Sequence, residues 1–102
     1  MYEIVFEPGF REDYRQVKRL WPGVSREFSV ALELLRAHGN LPEEYGAHEL
    51  ANAGGNYNGH MDFHLSNGAI DVVVLYMPHK TNPPIRFVRM GRHEQLFGGV
   101  LK

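Results

Sequence analysis

Hydrophobic and polar positions change their period near residue 40, and the change divides the chain into a helical part and a stranded part. Tyr2, Ile4 and Phe6 alternate with Glu3 and Val5, which predicts a first strand ended by Pro8-Gly9. Phe10, Tyr14, Val17, Leu20 and Trp21 then fall on one helical stripe with charges opposite, and Pro22-Gly23 stops that helix. Ser25 is the expected N-cap of a second helix. Phe28, Ala31, Leu34 and Leu35 form its apolar face, and Gly39-Asn40 supply its C-terminal stop. So short a turn between two helices predicts a helical hairpin.

Beyond residue 40 the period is two. Residues 41–50 read as a loop ordered by Leu41, Tyr45 and Leu50, followed by a Gly54-Gly55-Asn56 turn. Over 57–65, Tyr57, Met61, Phe63 and Leu65 point one way, and Asn58, His60, Asp62 and His64 point the other. Ser66-Asn67-Gly68 is a turn. The β-branched run over 70–77 predicts a central strand buried on both faces. Pro78 to Pro83 is a polar loop, 84–91 a last strand, and 93–97 a short helical turn. The order β-α-α-β-β-β describes an α+β protein in which an N-terminal helical hairpin packs on a twisted, mostly antiparallel sheet. The 102 residues suit one domain over 1–102, and 43% apolar content suits a globular one.

Composition narrows the chemistry. The absence of cysteine excludes disulfides, thiolate catalysis and cysteine metal sites. No apolar run approaches the ~20 residues that span a membrane. The N-terminus lacks the basic region and long apolar stretch of a signal peptide, so a cytoplasmic protein without membrane contact is expected. The net charge of -1 hides an asymmetry. Residues 1–40 carry six acids and six bases, and residues 41–70 carry four acids and no Lys or Arg. Residues 71–102 carry two acids against five bases, Lys80, Arg86, Arg89, Arg92 and Lys102, so an anion is expected there.

The segment from Arg86 to Phe97 carries the most specific chemistry. An arginine-bearing strand ends at Gly91, His93 follows, and Phe97 comes four residues later, on the same face of a helical turn. Cation, titratable ring and stacking surface are the groups that phosphodiester chemistry on a nucleotide needs. A basic edge strand with an apolar stopper is the plain alternative. Strand alternation sets Arg86 and Arg89 on opposite faces. His48, His64 and Asp71 are further proton-transfer candidates, and Asp71 reads equally as a strand-start carboxylate at the solvent edge. His60, Asp62 and His64 share a strand face, but their spacing with the other histidines lacks a familiar ligand pattern, so no metal and no other cofactor is expected.

With those residues in place, the chain resembles bacterial type II toxins of the RelE/ParE superfamily, in the YafQ branch. Tyr45-Gly46-Ala47-His48-Glu49-Leu50 is similar to the family's His-x-Leu tract, and Asp62-Phe63-His64-Leu65 to its histidine-bearing strand. Asp71-Val72-Val73-Val74-Leu75-Tyr76 resembles its Asp-Trp-apolar-Tyr strand, with Val72 where relatives carry tryptophan. Arg89-Met90-Gly91-Arg92-His93 and Leu96-Phe97 resemble its ending. The resemblance implies a RelE-like fold and a ribosome-dependent mRNA endoribonuclease held by an antitoxin. It implies His48, His64, Asp71, Arg89 and His93 as catalytic residues, with Arg89 as phosphate ligand, His93 as proton donor, and the base open among His48, His64 and Asp71. Arg86, Arg92, Phe97, Asp62 and His60 are the implied RNA contacts, Phe97 as base platform. The 70S ribosome A site, mRNA and a cognate antitoxin are the implied partners. A ParE-like gyrase poison and a degenerate toxin that only binds its antitoxin are the rival readings.

Overall fold

In a computed structural model two helices pack on one face of a five-stranded sheet, and the structure describes residues 2–50, 60–65, 72–78, 84–92 and 96. Strand β1 spans Ile4–Phe6, helix α1 Pro8–Leu20 and helix α2 Val24–His38. Pro8, expected to end the strand, opens α1 instead. Its missing N–H is no loss in a first helical turn, where that donor has no partner anyway. Helix α2 starts at Val24, one residue before the expected cap. Ser25 lies inside the first turn, and its hydroxyl donates to the Pro22 carbonyl. Gly39 closes α2 in the left-handed region at φ +79°. A Cβ there would also meet the Tyr2 ring at 2.6 Å, so both conformation and packing require glycine.

A 3-10 turn, Glu43–Tyr45, leads into β2, His48–Glu49. Strand β3 is Met61–His64, β4 Val73–Met77 and β5 Ile85–Gly91. The strand order is β1-β5-β4-β3-β2. Only the β1–β5 pair is parallel. The expected α+β architecture therefore holds, with one strand more than the pattern suggests. Two residues are too short to show a period, so β2 reads as loop in the sequence. The parts of the expected strands at 57–59 and 70–71, and the turn positions 93–95 and 97, lie outside the described residues.

Strand β4 is the middle strand, and Val72 to Tyr76 are all 2% exposed or less. Its two faces differ. Val74 and Tyr76 join Phe10, Phe28, Phe63, Phe87 and Met90 in the core under the helices. Val73 and Leu75 face the other way and pack with Leu96 and Leu50. Val72, where relatives carry tryptophan, lies fully buried in the helix-side core. A side chain pointing into that core cannot stack on a base.

Candidate active site

The sheet face opposite the helices collects most of the described candidate residues. Backbone register lines up His48, Asp62, Leu75 and Arg89 across β2, β3, β4 and β5. The adjacent row is His64, Val73 and Gly91. At ~4.8 Å per strand, His64 and Gly91 stand about 10 Å apart across Val73. Gly91 adds no side chain to that row, and Val73 between them is fully buried with Leu96 and Leu50 packed in its cluster.

Asp62 was expected to touch RNA, yet it is only 2% exposed. It stands between His48 and Leu75 in the cross-strand row, with its carboxylate beside the His48 ring instead. His48 Nδ1 is 3.0 Å from Asp62 Oδ1 and 3.3 Å from the Gly46 carbonyl, toward which the ring is aligned. Both neighbours are acceptors, so the tautomer with Nδ1 protonated donates to the Gly46 carbonyl beside the Asp62 carboxylate and has Nε2 as its acceptor nitrogen. The His48 side chain is 58% exposed, so that nitrogen can meet a ligand. The left-handed turn at Gly46, φ +63°, turns the chain into β2 and brings its own carbonyl to the ring.

Arg86 and Arg89 are not related by simple alternation. Phe87 pairs with Tyr76 and Arg89 with Leu75, so Val88 is an extra residue in β5. Arg86 and Arg89 therefore pair with Met77 and Leu75, which share a face of β4; the expected opposition of the two arginines is corrected by this bulge. Arg86 lies at the start of β5 and is paired at the surface with Glu7, Nη1 to Oε2 2.5 Å. Arg89 is held by Asp13 of α1, with Nε 2.5 Å from Oδ2. Asp13 could not be picked out from the sequence, because its partner is 76 residues away and its own neighbours read as an ordinary polar helix face. Arg92 follows β5 and lines a small cleft with Asp13, Gln16 and Trp21. His60 is half-buried just before β3, and its carbonyl accepts the Leu50 N–H. Asp71, His93 and Phe97 lie outside the described residues.

Among the described residues no group of three His, Asp, Glu or Cys side chains converges as a metal site requires. No described helix is long and apolar enough to cross a membrane. A larger cleft of about 410 Å3 between α1, α2 and β1 has mainly aromatic and aliphatic walls, with Arg11 and Ser29 at them. It lies on the helix side, away from the histidines.

Tyr76 is not a base. Burial pushes its phenol up to about 12, and the Asp62 carboxylate pushes the same way. The folded-state value exceeds the ordinary one, so the stability linked to this group is complete below pH ~10 and is lost as pH rises toward 12. Alkaline unfolding midpoints should therefore fall through that window, and Tyr76→Phe should flatten the fall. An unchanged alkaline profile in the variant would exclude Tyr76 as its source.

Several solved structures share this fold. A YafQ variant from Escherichia coli superposes with a TM-score of 0.76 at 22% identity, covering 96% of this chain and 100% of that one. Escherichia coli YafQ in complex with DinJ gives 0.71 at 23%, with the same coverage. A copper-bound toxin variant from Helicobacter pylori gives 0.73 at 19%, covering 95% and 100%. No curated protein matches the sequence. Residues 2–98 match the family described as "Bacterial toxin of type II toxin-antitoxin system, YafQ", and the chain belongs to that family.

Proposed function

We propose that this toxin is a metal-independent endoribonuclease that cuts mRNA in the ribosomal A site. The observation that carries the reading is His48, exposed on the face opposite the helices with Nδ1 beside the Asp62 carboxylate and the Gly46 carbonyl. In this reading His48 is the base, which narrows the choice among His48, His64 and Asp71. Nε2 takes the proton of the 2′-hydroxyl, and the freed oxygen attacks the adjacent phosphorus. Arg89 stabilises the charge of the five-coordinate phosphorane. The bond to the 5′-oxygen breaks, and His93 gives that oxygen its proton. The products are a 2′,3′-cyclic phosphate and a 5′-hydroxyl. His64 on β3 and His60 just before it border the path, Arg86 and Arg92 attract the RNA backbone, and Phe97 stacks on a base. The solved complex of Escherichia coli YafQ with DinJ supports a cognate antitoxin for this chain too, and in this reading the antitoxin covers the arginine-bearing surface of β5. A cytoplasmic site of action follows from the ribosome as target.

The test is the chemistry of the cut ends. Cleavage of ribosome-bound mRNA should survive EDTA once the ribosome's own magnesium requirement is controlled, and should leave a cyclic or 3′-phosphate with a 5′-hydroxyl. A 5′-phosphate product would rule the mechanism out. Induction in cells, with mRNA cuts and DNA breaks followed separately, tests the gyrase-poison alternative: DNA damage without RNA cleavage would favour it.

A further inference from the structure

Strand β5 outruns the strand that flanks it. β1 ends at Phe6, opposite Phe87, and the Glu7 N–H to the Phe87 carbonyl is the last link between them. Beyond that point α1 takes over the edge through one side chain. Asp13 Oδ2 accepts the Met90 backbone N–H at 3.0 Å and the Arg89 Nε–H at 2.5 Å. Asp13 Oδ1 lies 3.3 Å from Arg89 Nη2, so the carboxylate grips one edge of the planar guanidinium with both oxygens. Gly9 of the same helix sits under the arginine stem, where a Cβ would stand 3.4 Å from Arg89 Cδ. Asp13 is 15% exposed and Arg89 36%, so the grip is half-sheltered rather than a loose surface pair.

We propose that Asp13 is a positioning residue for Arg89: by gripping Nε and Nη2 it fixes the plane in which the guanidinium meets the scissile phosphate. This rests on reading Arg89 as the phosphate ligand. A free arginine samples many rotamers, and transition-state stabilisation depends on donors already aimed where charge develops. The assignment makes α1 part of the active machinery, although it lies against the sheet edge and carries none of the histidines. It also carries a signature that simple electrostatics does not. Asp13 offsets the positive charge at this edge, so removing it should help RNA binding and harm chemistry.

The experiment compares Asp13→Asn, Arg89→Ala and the double variant on a defined mRNA in programmed ribosomes. Affinity and the single-turnover rate at saturating enzyme are measured separately. Asp13→Asn keeps a carbonyl oxygen for the Met90 N–H but loses the charge. Its affinity should be equal or tighter, with a rate lower by ~10- to 100-fold. In the Arg89→Ala background the same change should slow cleavage no further. Asp13→Glu, which keeps the charge but displaces the carboxylate by one bond, should also lose rate at unchanged affinity, and it serves if the asparagine variant fails to fold. A wild-type rate in both Asp13 variants, beside a slow Arg89→Ala, overturns the positioning role and leaves the proposed function standing. An additive loss in the double variant overturns it as well. A wild-type rate in Arg89→Ala removes the phosphate-ligand reading itself, and this inference with it.

Discussion

Replacing His48 with alanine should lower single-turnover mRNA cleavage by ~10²–10⁴-fold, the usual cost of losing a positioned general base. Its side chain is 58% exposed, so the loss should fall mainly on the rate and the variant should remain folded. Asp62→Asn tests the arrangement beside it. The amide keeps the shape of the side chain, and Nδ1 keeps the Gly46 carbonyl as its partner, but the carboxylate beside the ring is gone. The expected loss is smaller than for His48→Ala and is confined to the rate. His93→Ala, which removes the proton donor of the proposed mechanism, should cost as much as His48→Ala. His64→Ala, by contrast, should retain most of the rate. If His64→Ala abolishes cleavage while His48→Ala stays active, the base has been assigned to the wrong histidine.

The largest expected effect on stability is at Phe87. Its ring is fully buried in β5, with centroids 5.5 Å from Phe6, 5.4 Å from Phe10, 5.2 Å from Phe28 and 5.8 Å from Tyr76. It joins both helices to β1 and β4. Phe87→Ala would remove that ring and leave a cavity that four neighbouring aromatics cannot collapse to fill, at a cost of ~3–5 kcal/mol. Set against a total stability of ~5–15 kcal/mol, this should unfold much of the population near physiological temperature. Phe87→Leu retains most of the volume and should cost less. Denaturant midpoints measure both. A loss below about 1 kcal/mol for the alanine variant would mean that the aromatic cluster is not what ties the helices to the sheet. Since β5 also carries Arg89, cleavage should fall in parallel with the folded fraction in Phe87→Ala, whereas His48→Ala separates the two.

The positions that carry this fold were legible where their pattern was long. The stripe of Phe10, Tyr14 and Val17, the face of Phe28, Ala31 and Leu35, and the run through Val73, Val74 and Leu75 each repeat often enough to define a period. Short or single-residue features were not. Strand β2 has two residues, Pro8 suits a helix start as well as a strand stop, and Ser25 was displaced because α2 begins two residues sooner, with Gly23 at its cap. At the candidate site the sequence supplied residue types and their order: a histidine in the 41–50 segment, a histidine closing a strand, and an arginine before a glycine.

By itself, then, the sequence determined that two amphipathic helices precede a set of strands, that the middle strand is buried on both faces, and that positive charge gathers in the last third. Those properties follow from local periodicity and composition, which need no knowledge of distant neighbours. The tertiary structure alone decided how the groups face one another. One extra residue at Val88 moved Arg89 out of the opposition to Arg86 that alternation predicts. Burial beside the His48 ring made Asp62 a support for His48 instead of an RNA contact. Asp13 became the partner of Arg89 across 76 residues of chain because α1 runs past the end of β1 along the edge of β5. Each depends on pairing register and on contacts remote in sequence, where a shift of one residue exchanges the faces of a strand.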